Sequence, residues 1–328
     1  MGRAKYGLTL SNRSVLLGLS SMEEMNSLAR AADRAEVWDS VWLGDSIFAK
    51  PRVDALVALG ALAAQTERVK LGVGCMASTP LRDALLMAYQ WLSFDFVSGG
   101  RSIFVACQGQ REAGGGQFEE EFAAFGIDPS TRSRRMEEAI EVLRLVSETE
   151  NASYRGTYNS FEGVTVLPRP LQQPLPIWIT GHANPAFPKL SERILRRIAR
   201  LGDGWMTTGN TPESLATTLA TIKRYGEDEC RPPGDDFEAC LYYNIHVTED
   251  PDRGMEEVES YMRDYYFTDY DRGFLERWVA IGDPSECIRR IKEFADAGAT
   301  TITLRIAAYD EAGQFRRVTE EILPALVK

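Results

Sequence analysis

Residues 70–107, KLGVGCMASTPLRDALLMAYQWLSFDFVSGGRSIFVAC, decide the fold. Two short apolar and β-branched runs, 70–75 and 102–107, bracket a stretch of helical length over 81–96. Strand, crossover helix and second strand make a βαβ unit, whose two strands lie parallel in one sheet. The same alternation runs outward in both directions. Strand-like runs recur at 6–10, 40–43, 177–180, 204–207, 240–247 and 301–306, which brings the count to eight. Helical patterns lie at 22–34, 54–65, 212–225, 284–297 and 314–325, and Met136, Ala139, Ile140, Leu143 and Val146 share one helical face. Pro212 and Pro284 stand at helix starts, where a missing N–H costs nothing, and Asp283 is placed to cap the second of these. Eight such repeats without a break in composition predict a single α/β unit over residues 1–328, a (β/α)8 TIM-type barrel rather than two doubly wound domains.

Three segments exceed the minimal barrel, 108–131, 151–175 and 249–278, and are read as insertions after strands four, five and seven. The first holds Gly114, Gly115 and Gly116 followed by Glu119, Glu120 and Glu121; the last holds Tyr261, Tyr265, Tyr266, Phe267, Tyr270, Phe274 and Trp278. Loops that follow barrel strands form the active-site rim, so the aromatic segment is either a lid over a pocket or an amphipathic helix burying its rings.

Of 328 residues, 44% are hydrophobic and 26% charged, ample for a core. The net charge of -11 sets a surface potential that repels nucleic acid and anionic lipid, leaving a small molecule as the expected partner. No apolar run nears the roughly 18 residues that span a bilayer, and the first ten residues lack a secretory pattern. The five cysteines are odd in number and without CxxC spacing, which predicts free thiols in a reducing compartment and hence a cytoplasmic protein. With only His182 and His246, no zinc-type cluster and no metal is expected. His246 falls inside a strand and reads as barrel interior; Tyr89 and Trp91 read as helix packing residues.

At 39–45, DSVWLGD, the chain resembles the second strand of the bacterial luciferase-like flavin monooxygenase superfamily. The likeness continues in family order through residues 70–101, EFAAFGIDPSTRSRRMEEAIEVLRLVSE at 121–148, LPIWITG at 175–181, RIARLGDGWMTTG at 197–209 and IGDPSECIRRIKEFADAGATTITLRI at 281–306. The resemblance implies a barrel with FMN or a deazaflavin at the C-terminal mouth. It also implies a cis peptide at Gly74–Cys75 behind the ring, with Gly74 easing the crowding there, although Gly72 and Gly74 are equally small residues for strand packing. Cys107 then becomes a wall of the pocket, and Gln108 stands where luciferase has a phosphate-binding arginine. Phosphate is expected on backbone amides and hydroxyls at Thr180, Gly181 and His182 and at Gly204, Trp205 and Thr208, since late barrel loops and helix N-termini favour anions.

Asp45 either faces the pocket or caps the next turn. Deazaflavin-dependent sugar-phosphate dehydrogenases of this superfamily carry Asp-His after strand two and a loop glutamate after strand four. Here those places read Asp45-Ser46 and Gln110, and neither Ser46 nor Gln110 serves as acid or base near neutral pH. The resemblance therefore implies an FMN monooxygenase that takes reduced flavin from a separate reductase and acts on a small organic substrate, with a homodimer formed through early helices. A deazaflavin-dependent hydride transferase and a non-catalytic flavin-binding subunit are the alternatives.

Overall fold

Short β-branched runs cannot bury both faces alone, and in the computed structural model, which describes residues 3–110, 115–234 and 236–327, they pair edge to edge into a closed ring. The strands are β1 (Lys5–Thr9), β2 (Ser40–Leu43), β3 (Lys70–Val73), β4 (Ser102–Ala106), β5 (Ala152–Arg155), β6 (Ser160–Val164), β7 (Ile177–Thr180), β8 (Gly204–Thr208), β9 (Glu238–Val247), β10 (Val279–Gly282) and β11 (Thr301–Ile306). Eight of them close the barrel in the order β1-β2-β3-β4-β7-β8-β9-β11, all parallel, with β11 returning to β1. The predicted (β/α)8 barrel is the observed fold.

The helices are α1 (Met22–Arg34), α2 (Ala55–Ala63), α3 (Ala84–Val97), α4 (Phe118–Ala124), α5 (Arg132–Glu148), α6 (Pro188–Leu201), α7 (Pro212–Asp228), α8 (Pro251–Tyr266), α9 (Arg272–Trp278), α10 (Pro284–Asp296), α11 (Glu311–Arg317) and α12 (Leu323–Leu326). Pro212 and Pro284 open their helices, and the Asp283 carboxylate accepts from Glu286 N as the expected cap. Among the described residues no helix is long and apolar enough to cross a membrane.

Several boundaries differ from the sequence reading, for local reasons. β3 and β4 stop before Cys75 and Cys107, because the chain leaves register at Gly74–Cys75 and regains one bridge at Met76–Ala106. α3 begins after Asp83, which accepts from Leu86 N, so the helix starts three residues later than predicted. α6, absent from the predicted helices, has an arginine-rich sequence that masks its apolar stripe. Segment 151–175 does not follow strand five. It precedes that strand, joining α5 to β7 through the β5–β6 hairpin, whose extended period hides in polar sequence. Segment 108–131 follows β4 and carries α4; Gly114 lies outside the described residues. Segment 249–278 carries α8 and α9 after β9, and β10 then adds beside the C-terminal half of β9. Trp91 is buried as predicted, but Tyr89 is half-exposed on the outer face of α3.

The lower half of the barrel is filled by Trp42, Ile103, Val105, Trp178, Met206 and Cys240, with the Trp42 and Trp178 rings 5.5 Å apart. Gly72 makes room for this plug, since a Cβ there would overlap the Trp42 ring. The plug divides a cavity at the C-terminal ends of the strands from a second one at their N-terminal ends, lined by Lys5, Asp39, Lys70, Asp203 and Glu238. The loops that follow the strands, where the sequence places its candidate residues, surround the first.

Candidate functional site

Above the plug opens a cavity of about 340 Å³, inside the roughly 300–1,000 Å³ range of small-molecule sites. It is walled by residues of β1, β7, β8, β9 and β11 and the loops after β2, β3, β4 and β7, and covered by α8 and the residues that follow it.

On one side the wall is neutral. The Gly74–Cys75 bond is cis, as expected, and faces the cavity together with Cys107. Steric relief is not the reason for Gly74, however, because a Cβ there would meet Met206 Cε at an ordinary 3.4 Å. Hydrogen bonding between the two thiols pushes Cys75 well up and draws Cys107 down to about 7. Thr180 Oγ1 donates to Ala106 O and Thr208 Oγ1 to Tyr242 O, so both hydroxyls are tied to neighbouring strands. His182 Nδ1 lies 3.1 Å from Thr207 Oγ1, which itself donates to Asn210 Oδ1 at 2.6 Å. The imidazole therefore donates through Nδ1 and keeps Nε2 as an acceptor, and desolvation lowers its pKa, which keeps it neutral. The Gln108 amide accepts from Ser133 Oγ at the rim.

Eight of the ten residues expected at the cofactor line this cavity: Gly74, Cys75, Cys107, Gln108, Thr180, Gly181, His182 and Thr208. Gly204 and Trp205 do not. Gly204 opens β8 at the opposite end of the strand and packs beneath Trp178, while Trp205 points outward into the strand–helix core and donates to Gly181 O. Consecutive strand residues face opposite sides and a strand runs from one barrel end to the other, so only its last residues reach the mouth. His246 is buried beneath α8, its Nδ1 3.0 Å from Ala307 O.

Asp45 is buried at the end of β2, where it accepts from Ser78 N and lies 3.7 Å from Arg82; it both faces the cavity and fixes the turn after β3. Burial outweighs the arginine and raises its pKa. Ser46 Oγ donates to Lys50 O, and Gln110 Oε1 lies 3.5 Å from Lys50 Nζ.

The other side of the cavity is cationic and aromatic, and the sequence reading missed most of it. Lys50, Arg52 and Arg305 line it together with Tyr242, Tyr265, Tyr266, Tyr270 and Trp278. Glu121 fixes the β2 loop by accepting from Phe48 N and Ala49 N, both at 2.6 Å, and Asn12 Nδ2 ties that loop to β1 through Gly44 O and Val53 O. Arg305 donates to Tyr266 Oη at 2.9 Å, to Tyr242 Oη and Ser11 Oγ at 3.2 Å and to Tyr261 Oη at 3.3 Å, and its Cζ lies 3.3 Å from the Tyr265 ring centroid. Burial lowers Lys50 to about 7, assisted by Arg13, Arg52 and Arg305. Burial pushes the Tyr265 phenol up, yet Arg305, Arg52 and Arg13 outweigh it and hold the pKa below its ordinary value. A signal for this wall existed: an arginine inside the apolar run TITLRI is out of pattern for a strand.

The aromatic segment serves as both lid and core. Tyr265, Tyr266, Tyr270 and Trp278 face the cavity, while Met255, Val258, Met262 and Leu275 bury the same helices against β10 and its neighbours.

Residues 6–301 match the family described as luciferase-like monooxygenase. The F420-dependent glucose-6-phosphate dehydrogenase of Kineococcus radiotolerans is 24% identical, covering 94% of this chain and 96% of its own. That of Microbacterium testaceum is 26% identical, covering 89% and 90%. Among solved structures, an F420-dependent secondary alcohol dehydrogenase in complex with an F420–acetone adduct superposes with a TM-score of 0.82 at 16% identity, covering 100% of both chains. Monooxygenase RslO1 from Streptomyces bottropensis superposes with a TM-score of 0.78 at 24% identity, covering 98% of this chain and 99% of its own.

Proposed function

The chain belongs to the luciferase-like monooxygenase family and is an oxidoreductase, and we propose that it transfers hydride between a deazaflavin of the F420 type and a small organic substrate. The observation that carries this reading is the neutral wall: a backbone ridge at Gly74–Cys75 flanked by Cys107, Thr180 and His182 at the mouth of a closed barrel. That wall fits a flat tricycle, because it offers a narrow apolar ridge below the ring and hydroxyl and amide groups around it. Such a cofactor supplies the hydride chemistry, and the protein supplies position, exclusion of water and charge. The choice of deazaflavin rests on the relatives, whose names specify F420.

Oxidation of a sugar phosphate is not proposed. Ser46 and Gln110 replace the histidine and glutamate expected for that reaction, and their hydrogen bonds to the Lys50 side of the loop are those of positioning groups. A second reading, an FMN monooxygenase fed reduced flavin by a separate reductase, is supported by the aromatic cover over the cavity, which suits a reaction that must exclude water, and by the likeness to RslO1. A homodimer is proposed through the exposed apolar residues Val57, Leu86, Tyr89, Phe96 and Val97 of α2 and α3.

Anaerobic titration with oxidised and reduced F420 and FMN separates the readings. The expected result is micromolar deazaflavin binding and reoxidation of reduced deazaflavin by an organic acceptor without oxygen uptake. Oxygen consumption with reduced FMN and no deazaflavin binding would replace the first reading with the second.

A further inference from the structure

Three guanidiniums meet at one corner of the cavity without a carboxylate to balance them. Arg305 reaches in from β11, Arg52 from the loop after β2, and Arg13 stands behind them in the loop after β1. Arg305 is 2% exposed and Arg13 fully buried. The ion pairs run elsewhere: Arg82 takes Asp45 and Asp54, and Arg197 takes Glu137. Among the described residues no carboxylate lies within 4.0 Å of the nitrogens of Arg13, Arg52 or Arg305. The carboxyls whose fields reach this corner are Asp45 and Glu311, and burial pushes both toward the neutral form.

The corner also has unmet hydrogen-bonding capacity. Among the described residues, all three side-chain nitrogens of Arg13 and Nε of Arg305 have no hydrogen-bond partner. Buried charge without a counter-charge is costly, so a site that keeps it is poised for an anion to enter. Arg52 owes its place to Gly44, where a Cβ would overlap the guanidinium. Beside the cations stand flat faces: Tyr265 against Arg305, Tyr266 with Lys50 Nζ 5.0 Å from its centroid, and Trp278 5.5 Å from Tyr266.

We propose that this corner anchors the substrate, and that the substrate is a ring-bearing oxyanion. Its ring lies against Tyr265, Tyr266 and Trp278, and its carboxylate or phosphate takes the guanidiniums of Arg52 and Arg305, whose planar forks match both groups. Arg13 adds its field from behind. The word substrate rests on the oxidoreductase reading above; the binding does not. The competing occupant is the cofactor's own phosphate.

The test is titration of the full chain, without cofactor, with 2-naphthoate, 2-naphthyl phosphate and the neutral 2-naphthamide, followed by calorimetry and intrinsic fluorescence. At least one anion is expected to bind ten-fold or more tightly than the amide, with the preference shrinking as salt rises. Arg305→Gln risks the fold, so Arg52→Gln, at a partly exposed position, carries the test and is expected to cut the preference below three-fold. A ratio near one in the parent, or an unchanged ratio in Arg52→Gln, overturns the proposal. So does a variant that weakens FMN relative to riboflavin while keeping the ratio, because the guanidiniums would then serve the cofactor. With no cofactor present, failure of the deazaflavin reading leaves these titrations intact, and failure here leaves that reading intact.

Discussion

The wall formed after β3, β4, β7 and β8 meets the cavity with thiols, hydroxyls, a neutral imidazole and glycine backbone, whereas the wall formed by β2, β11 and α8 meets it with guanidiniums, an amine and phenols. In the first wall the polar groups are satisfied by the protein: Thr180, Thr208, His182 and Gln108 all have protein partners. In the second Arg305 satisfies the hydroxyls of Tyr242, Tyr261 and Tyr266, but the positive charge is not balanced. On the readings proposed above, the neutral wall would hold a redox ring by shape and hydrogen bonds and the cationic wall would choose a substrate by charge.

The contrast is broken most severely by removing Arg305, which ties four hydroxyl groups of the cationic wall together. Arg305→Leu is expected to lower unfolding stability by about 3 kcal/mol, since hydrogen bonds to a charged group are worth about 1.5–3 kcal/mol and the orphaned hydroxyls add to the loss. Urea unfolding measures this. A variant as stable as the parent would show that aromatic packing alone holds the wall.

The neutral side is next, and there the sensitive point lies below the ridge. Gly72→Ala drives a methyl into the Trp42 ring, and overpacking a filled core costs about 2 kcal/mol. The same change at Gly74 is expected to cost little, because Met206 leaves ordinary contact distance there. Comparing the melting of the two variants checks whether steric pressure sits at Gly72.

A finer break uses Gly44→Ala, which keeps every charge but displaces the Arg52 guanidinium. Stability is expected to change little, since the group displaced is the far end of a flexible side chain. The preference for 2-naphthoate over 2-naphthamide is expected to fall about five-fold, equivalent to about 1 kcal/mol. An unchanged preference would mean that Arg52 reaches the anion from any nearby position.

The two walls also differ in how far the sequence exposes them. The neutral wall lies at strand ends and the loops that follow them, and a strand end can be located from apolar runs and glycines, so Cys75, Cys107, Thr180 and Thr208 were legible. Gly204 and Trp205 were misplaced because family order located the right strand without saying which end of it reaches the mouth. The cationic wall is assembled from parts far apart in the chain: Arg13, the Lys50–Arg52 loop, Tyr265 and Arg305 sit in four separate local contexts. Apart from Arg305, out of pattern in its apolar strand, each alone reads as an ordinary surface charge or packing ring, and only barrel closure between β1 and β11 brings them together. The eight-strand count was legible because each strand has its own apolar run; β10 and the β5–β6 hairpin were not, being short and polar or fused to a helix end.

The smallest effect expected is a pH dependence of anion binding, to which both walls contribute. Lys50 titrates near 7, lowered chiefly by burial, and Glu311 near 7, raised by burial. As pH rises from 6 to 8 the amine loses its positive charge and the carboxyl gains a negative one, so both changes weaken anion binding. On the opposite wall the Cys107 thiol, drawn down to about 7 by its hydrogen bond with Cys75, also gains negative charge over this range. Desolvation lowers the His182 pKa and favours its neutral form, and Asp45 is the remaining carboxyl, with its pKa raised. The affinity for 2-naphthoate is expected to fall about three-fold over this range, a loss of under about 1 kcal/mol, while 2-naphthamide binding stays flat. Lys50→Gln and Glu311→Gln should each reduce the slope, and Cys107→Ala should remove what remains. Folding stability runs the opposite way for Lys50: between its folded value near 7 and the ordinary 10.5 the unfolded chain holds the proton and the folded chain does not, so stability rises with pH across that window. A binding slope that survives when all three groups are replaced would place its source outside them.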